Sequence, residues 1–248
     1  MRVRFRFTKT GKVRFTSHRD VARLWERALR RAGLPVASTE GFSPRPKVHF
    51  GLALSTGHES LGEYLDVDLR EPVDLEPLPE RLSPLLPPGL DVERAEVVER
   101  PALSLQEAVV SCTWRIGVSG ADPAAVGEGV TALLAATTIP VARQRKGKTV
   151  NDDLRPAITD LYVPGTDAWP VGAAPGPDDG VVLGAELATQ PRGVRPSELI
   201  DALAAFTGGP LSEGRVCRTH QWIVLDGARR EPLPASATRA AHAQACAS

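Results

Sequence analysis

The chain has 248 residues, 42% of them hydrophobic and 24% charged, with 30 Lys/Arg against 30 Asp/Glu. A chain of this length holds one large or two small domains that bury a core without staples; its composition excludes a largely disordered protein, and its balanced charge excludes a surface that is basic throughout. The balance is uneven along the chain, because residues 1–50 carry 13 Lys/Arg against 3 Asp/Glu and residues 51–100 carry 4 against 12, so the pairing of these two blocks in space decides how much basic charge can meet a polyanion.

Residues 2–8 alternate strictly, the period of a half-buried strand with Val3, Phe5 and Phe7 inward and Arg2, Arg4 and Arg6 on the other face. Ser17 with Asp20 three residues on has capping-box spacing and opens a helix over 17–32. Its apolar face is Val21, Leu24, Trp25, Ala28, Leu29 and Ala32, and Arg19, Arg23, Arg27, Arg30 and Arg31 cover the rest, with Glu26 and Arg30 at i,i+4 spacing. Gly33 and Pro35 close it. The stretch "VASTEGFSPRP" reads as a loop, followed by strands at "KVHFGLAL" and "GEYLDVDL", a proline-flanked helix near 75–85 and a strand near 90–98.

This order, β-α-β-β-α-β, is the ferredoxin-like unit. The second half repeats it with strand "AVVSCTWRIGV", a helix near 122–136, strands near 139–145, 154–163 and 181–187, a helix near 196–206 and a strand near 215–225. Residues 164–180 form a Pro/Gly-rich loop. The expected fold class is α+β: two tandem ferredoxin-like (split β-α-β) units with antiparallel sheets, at 1–102 and 103–227, and a disordered C-terminal tail at 228–248 that lacks apolar periodicity.

Helices cover one sheet face of such a unit, and the open face is where related architectures bind RNA. Arg2, Arg4, Arg6, Lys47, His49, Tyr64, Asp66 and Asp68 are expected there, and the usual strand order sets the arginines across from Asp66 and Asp68. Two outcomes stay open, a polyanion on the surplus cations or self-pairing. In "GFSPRPKVHFG" two prolines stiffen a loop carrying Arg45 and Lys47 with Phe42 available to stack, which suits a nucleotide or an RNA backbone. In "ARQRKGKTVNDDLRP" five cations surround a Gly147 turn beside Asp152 and Asp153, a hairpin tip suited to clamping phosphate.

Catalytic signatures are absent: no Ser/His/Asp set, Walker loop or dinucleotide fingerprint occurs. His18-Arg19-Asp20 spells a kinase catalytic loop but has neither the Gly-rich loop nor the DFG that a kinase needs. Cys112, Cys217 and Cys246 share no short spacing, so no metal or cofactor is expected, and the first two read as buried thiols. With no apolar run near the roughly 20 residues that span a bilayer and no signal-peptide core, a cytoplasmic protein without membrane contact is expected.

The long stretch from "FTSHRDVARLWERALRRAGLP" through "GFSPRPKVHFGLALSTGHESLGEYLDVDL", together with "RKGKTVNDDLRP", resembles the radical SAM-linked family of unknown function in its stand-alone form, over about residues 1–225. The resemblance implies a radical SAM protein as partner and, from the family's genomic company, a connection to RNA. The chain lacks the cluster cysteines and is not itself the radical enzyme.

The function expected is therefore binding of structured RNA, tRNA or rRNA and not DNA, as the substrate-presenting partner of a radical SAM enzyme in RNA modification or processing. The contacting residues would be Arg14, His18, Arg19 and Arg23 at one edge, Arg45, Lys47 and His49 in the middle, and Arg143, Arg145, Lys146, Lys148 and Arg155 at the far wall. One alternative is a stand-alone RNA-modifying enzyme resembling pseudouridine synthases or ferredoxin-like endoribonucleases, for which Asp20, His18, His49, Asp66 and Asp153 are the acid-base candidates. The other is a protein–protein adaptor.

Overall fold

A computed structural model of the protein describes residues 1–99, 103–145, 147–164, 169–170 and 180–234. The chain is α+β and forms two compact units, one built from residues 1–109 with the segment from 220 onward, the other from most of 110–219. None of the helices among the described residues is long and apolar enough to cross a membrane.

The first unit contains β1 (Arg2–Lys9), α1 (His18–Arg31), β2 (Val48–Phe50), β3 (Glu59–Asp68), α2 (Leu78–Leu82), β4 (Val92–Val97) and α3 (Leu105–Ala108). In its sheet β1 pairs antiparallel with β4 on one side and β3 on the other, and β2 takes the far edge of β3. Alternation sends Val3, Phe5 and Phe7 to the helix side, where Trp25 of α1 is fully buried with ring centroids 5.6 Å from Phe5 and 5.0 Å from Phe7. The start of α1 follows the expected cap, since Ser17 Oγ accepts from the Asp20 backbone N–H. Gly33 at φ +68° supplies the left-handed residue that ends it. β2 is shorter than its alternating pattern suggests; Gly51 N–H still donates to Tyr64 O, but the chain then leaves the sheet edge.

The second unit contains β5 (Val109–Ser119), α4 (Pro123–Ala135), β6 (Pro140–Arg145), β7 (Lys148–Asp153), β8 (Ile158–Tyr162), β9 (Val181–Ala188), α5 (Pro196–Thr207) and the first part of β10 (Ser212–Leu225). Its sheet runs β10-β5-β9-β8, while β6 and β7 form a separate hairpin. α4 packs on α5, and Gly129 permits the approach: a Cβ there would sit 2.6 Å from the Thr207 methyl. Cys112 and Cys217 are buried, as expected, and Cys246 lies outside the described residues. So does most of the loop at 164–180.

The arginine face of β1 differs from expectation in one respect. Its register is as anticipated, with Arg2 opposite Asp68 and Arg4 opposite Asp66. Arg2 Nε donates to Asp68 at 2.7 Å and Arg4 Nε to Asp66 at 2.8 Å, each guanidinium giving a second bond to the other carboxylate oxygen. Arg6 donates to Glu93 at 2.8 Å and to Glu231 and the Tyr64 hydroxyl at 2.5 Å each. Yet the face is not open: Arg4 is 7% exposed, Arg6 4%, Asp66 and Tyr64 2% each.

What covers it is chain that was expected to be a tail without structure. Residues 228–230 form β11 (Ala228–Arg230), paired antiparallel with the end of β10. Glu231 then meets Arg6, the carbonyls of Pro232 and Leu233 accept from Arg4 and Arg6, and Leu233 is buried against Tyr64 and Leu105 of α3. Residues 235–248 lie outside the described residues. Gly62 makes room for this arrangement, because a Cβ on it would stand 3.2–3.4 Å from the Arg6 guanidinium that lies over β3.

A buried ion pair that loses one partner leaves an uncompensated charge, at a cost of about 3–5 kcal/mol, whereas replacing both partners by apolar groups is often nearly neutral. Urea unfolding should therefore show Arg4→Met and Asp66→Leu each destabilised by that amount and the double variant restored to within about 2 kcal/mol of the parent. A second expectation concerns pH. Hydrogen bonds from Arg2 hold the Asp68 carboxyl below the usual carboxylate range, outweighing burial, with His49 assisting. The stability this confers is complete above the unfolded-state value of about 3.9 and is lost as pH falls through the lower folded-state value. The stability difference between the parent and Asp68→Asn should thus stay constant from neutral pH to about pH 5 and shrink below about pH 4.

Candidate nucleic-acid interface

The inward face of α1 is spent on the core through Val21, Trp25, Ala28 and Leu29. The 3.6-residue period then places Arg19, Arg23, Arg27 and Arg31, each four residues from the next, in a stripe along the outer face, with Arg30 beside them. All five are exposed. Successive guanidinium anchors rise by about 6 Å along the helix axis. Arg23 is 3.1 Å from Asp20, also exposed, and no ion pair among the described residues reaches Arg19, Arg27, Arg30 or Arg31. The Glu26 and Arg30 spacing is present without such a contact. Like charges at i,i+4 destabilise a helix by about 0.2–0.5 kcal/mol per pair, so the stripe is held against its own repulsion. Arg27, Arg30 and Arg31 stand outside the interface residues expected from sequence, although the four-residue spacing that reveals them is a sequence property.

A second basic element follows α1 directly. The bridge Val36–Leu69 ties the base of a narrow hairpin to the sheet edge, and the bridge Ser38–Pro46 joins its two arms. Lys47 N–H donates to Ala37 O, Thr39 N–H to Arg45 O at 2.8 Å, and Arg45 N–H to Thr39 Oγ1 at 3.0 Å. Every residue from 38 to 46 is exposed. Beside the hairpin base lies a cavity of about 570 Å³ lined by Arg2, Ala37, Lys47, Asp68 and Leu69 among others.

The other expected contact residues have more local duties. Arg14 donates to Gly11 O and lies 4.4 Å over the exposed Phe15 ring. His18 meets Phe50 edge-on at 5.4 Å, on the helix side of β2. His49, the neighbour of Phe50, points the opposite way and sits 3.5 Å from Asp68. In the second unit Arg143 is 2.6 Å from Glu198, and Arg155 donates to the carbonyls of Ile158 and Leu134. Arg192 joins the same network through Asp152 and Glu198. Arg145 and Lys148 are backbone partners at the end of the β6–β7 hairpin with Gly147 in the turn at φ +76°, and Lys146 lies outside the described residues.

Among the acid-base candidates His49 and Asp66 are in register across β2 and β3, and the carboxylates are each engaged locally. Asp20 accepts from Ser17 Oγ at 2.7 Å and from Arg23, which lower its pKa in that order of importance, so it serves the helix start. Asp66 is locked to Arg4, and Asp153 Oδ1 accepts the backbone N–H groups of Ile139 and Arg155. No group of three or more His, Cys, Asp or Glu that could hold a metal ion occurs among the described residues.

No curated protein matches the chain. Among solved structures it is similar to a chain in a crystal structure of a Cbf5-Nop10-Gar1 complex, with 10% identity and a TM-score of 0.46 over 88% of this chain and 48% of that one. The chain thus spans about half the length of that neighbour, and a likeness so loose carries no argument. The sequence itself is more telling: residues 2–190 match a family model, and the chain belongs to the family described as "Uncharacterized protein conserved in bacteria" (DUF2344).

Proposed function

We propose that this protein is a cytoplasmic RNA-binding protein that grips RNA through the arginine stripe of α1 and presents it, as tRNA or rRNA, to a radical SAM enzyme for modification. The observation that carries the RNA reading is the contrast between two rows of arginine in one unit. Arg2, Arg4 and Arg6 each have a carboxylate within 2.8 Å, whereas Arg19, Arg27, Arg30 and Arg31 have none among the described residues and face solvent. A row of unneutralised guanidinium groups on a rigid element is suited to a run of phosphates, which bind with release of counterions. Arg45 and Lys47 extend the same charge onto the hairpin that follows.

The radical SAM partner and the choice of tRNA or rRNA rest on the sequence resemblance alone. We read both units as ferredoxin-like, in support of which the strand orders β4-β1-β3-β2 and β10-β5-β9-β8 correspond, with β6–β7 as an insertion in the second. The engagement of Asp20 with the helix start, of Asp66 with Arg4 and of Asp153 with backbone N–H groups favours presentation of RNA over chemistry on it.

Anisotropy measurements with labelled bulk tRNA across a salt series test the reading. The parent should bind with a steep negative salt dependence, and each of Arg19, Arg23, Arg27 and Arg31 changed to Ala should lower the slope by about 1. Thermal stability of the quadruple variant should be unchanged or slightly higher, since like-charge repulsion is removed. Absence of binding by the parent at low salt, or an unaltered slope in the quadruple variant, would refute it.

A further inference from the structure

We propose that Phe42, at the tip of the hairpin after α1, is a stacking platform for an unpaired RNA base, so that the protein selects single-stranded or looped RNA over duplex. This rests on the RNA-binding reading and adds the class of substrate to it. Phe42 is fully exposed, and among the described residues no ring or cation lies against it. Isolated exposed apolar residues are common on proteins and by themselves carry little meaning. The setting of this ring is what distinguishes it.

Three features hold Phe42 ready. Gly41 at φ +121° adopts a backbone conformation that side-chain-bearing residues avoid, and it turns the chain immediately before the ring. Pro44 and Pro46 fix two backbone angles on the returning strand, and the Thr39–Arg45 bonds close the hairpin below the tip. A ring carried on so short and braced a loop loses little conformational freedom when a partner stacks on it. The charge around it selects the partner: Arg45 lies three residues on and Lys47 five, and Glu40 is the hairpin's lone carboxylate.

A flat apolar ring flanked by cations matches a nucleobase with its phosphates. In a duplex the base faces are covered by their neighbours, so the ring can meet them only in loops and single strands. The helix stripe reads phosphate and is indifferent to strandedness, whereas the hairpin tip is not.

The test compares an unstructured oligoribonucleotide, carrying an adenine analogue whose fluorescence is quenched by stacking, with the same strand annealed to its complement. Parent protein should quench the analogue and prefer the single strand. Phe42→Ala should lose about 5- to 150-fold in single-strand affinity, the worth of one base–aromatic stack, and lose the quenching, with duplex affinity unchanged. Phe42→Trp should retain both signals. Phe42→Leu, which keeps an apolar side chain without a π face, should behave like the alanine variant. Retention of affinity by Phe42→Leu, equal losses on single strand and duplex, or transfer of the Phe42 requirement to anionic phospholipid vesicles would each overturn the proposal. If the parent binds RNA and the alanine variant is unaffected, the stacking platform alone fails; if the parent binds neither strand form, the RNA reading fails first.

Discussion

Taking a guanidinium out of water costs several kcal/mol unless a carboxylate accompanies it with good geometry, and the first unit meets that condition three times along one strand. β1 brings Arg2, Arg4 and Arg6; β3 brings Asp68 and Asp66 in register; β4 and the segment after β11 bring Glu93 and Glu231. Because side chains alternate on a strand, a slip of one residue would turn each arginine into the apolar side occupied by Trp25 and expose Phe5 and Phe7 in exchange. The ion pairs therefore fix the register of the sheet from the polar side while the aromatic cluster fixes it from the other. Everything attached to that sheet, including α1 and the hairpin after it, inherits its position from this agreement.

The same pairing separates structural from available charge. Basic residues of the first fifty and acidic residues of the next fifty do neutralise each other in part, and the sheet is where this happens. α1 escapes because its outer face has no strand across from it. Net charge near zero is thus compatible with a locally basic surface, and the excess sits on a helix and a hairpin instead of on the sheet.

Much of this was legible in the sequence. The alternation of β1, the 3.6-residue period and cap of α1, and the opposition of Arg2 and Arg4 to Asp68 and Asp66 are local or pairwise patterns, and the structure follows them. The partners of Arg6 were only partly legible: Glu93 stands on the strand expected near 90–98, but Glu231 follows a segment that no periodicity announces, and that covering segment buries a single side chain, Leu233, too few to leave a pattern. α3 has four residues, less than two turns, and gives no amphipathic signal. On α1 the arginine stripe could be counted from spacing. The duties of Asp153 and Arg155 could not, because their partners are backbone groups, which every residue carries and no sequence motif marks.

The pairing of Arg6 with Glu231 spans 225 residues. Translation at about 5–20 residues per second separates the appearance of the two by roughly 10–45 s. For most of that interval Arg6 can meet Tyr64 and Glu93 but not Glu231, and the nascent chain carries an incompletely covered polar face. Closure of that face therefore waits on synthesis of the segment that follows β11.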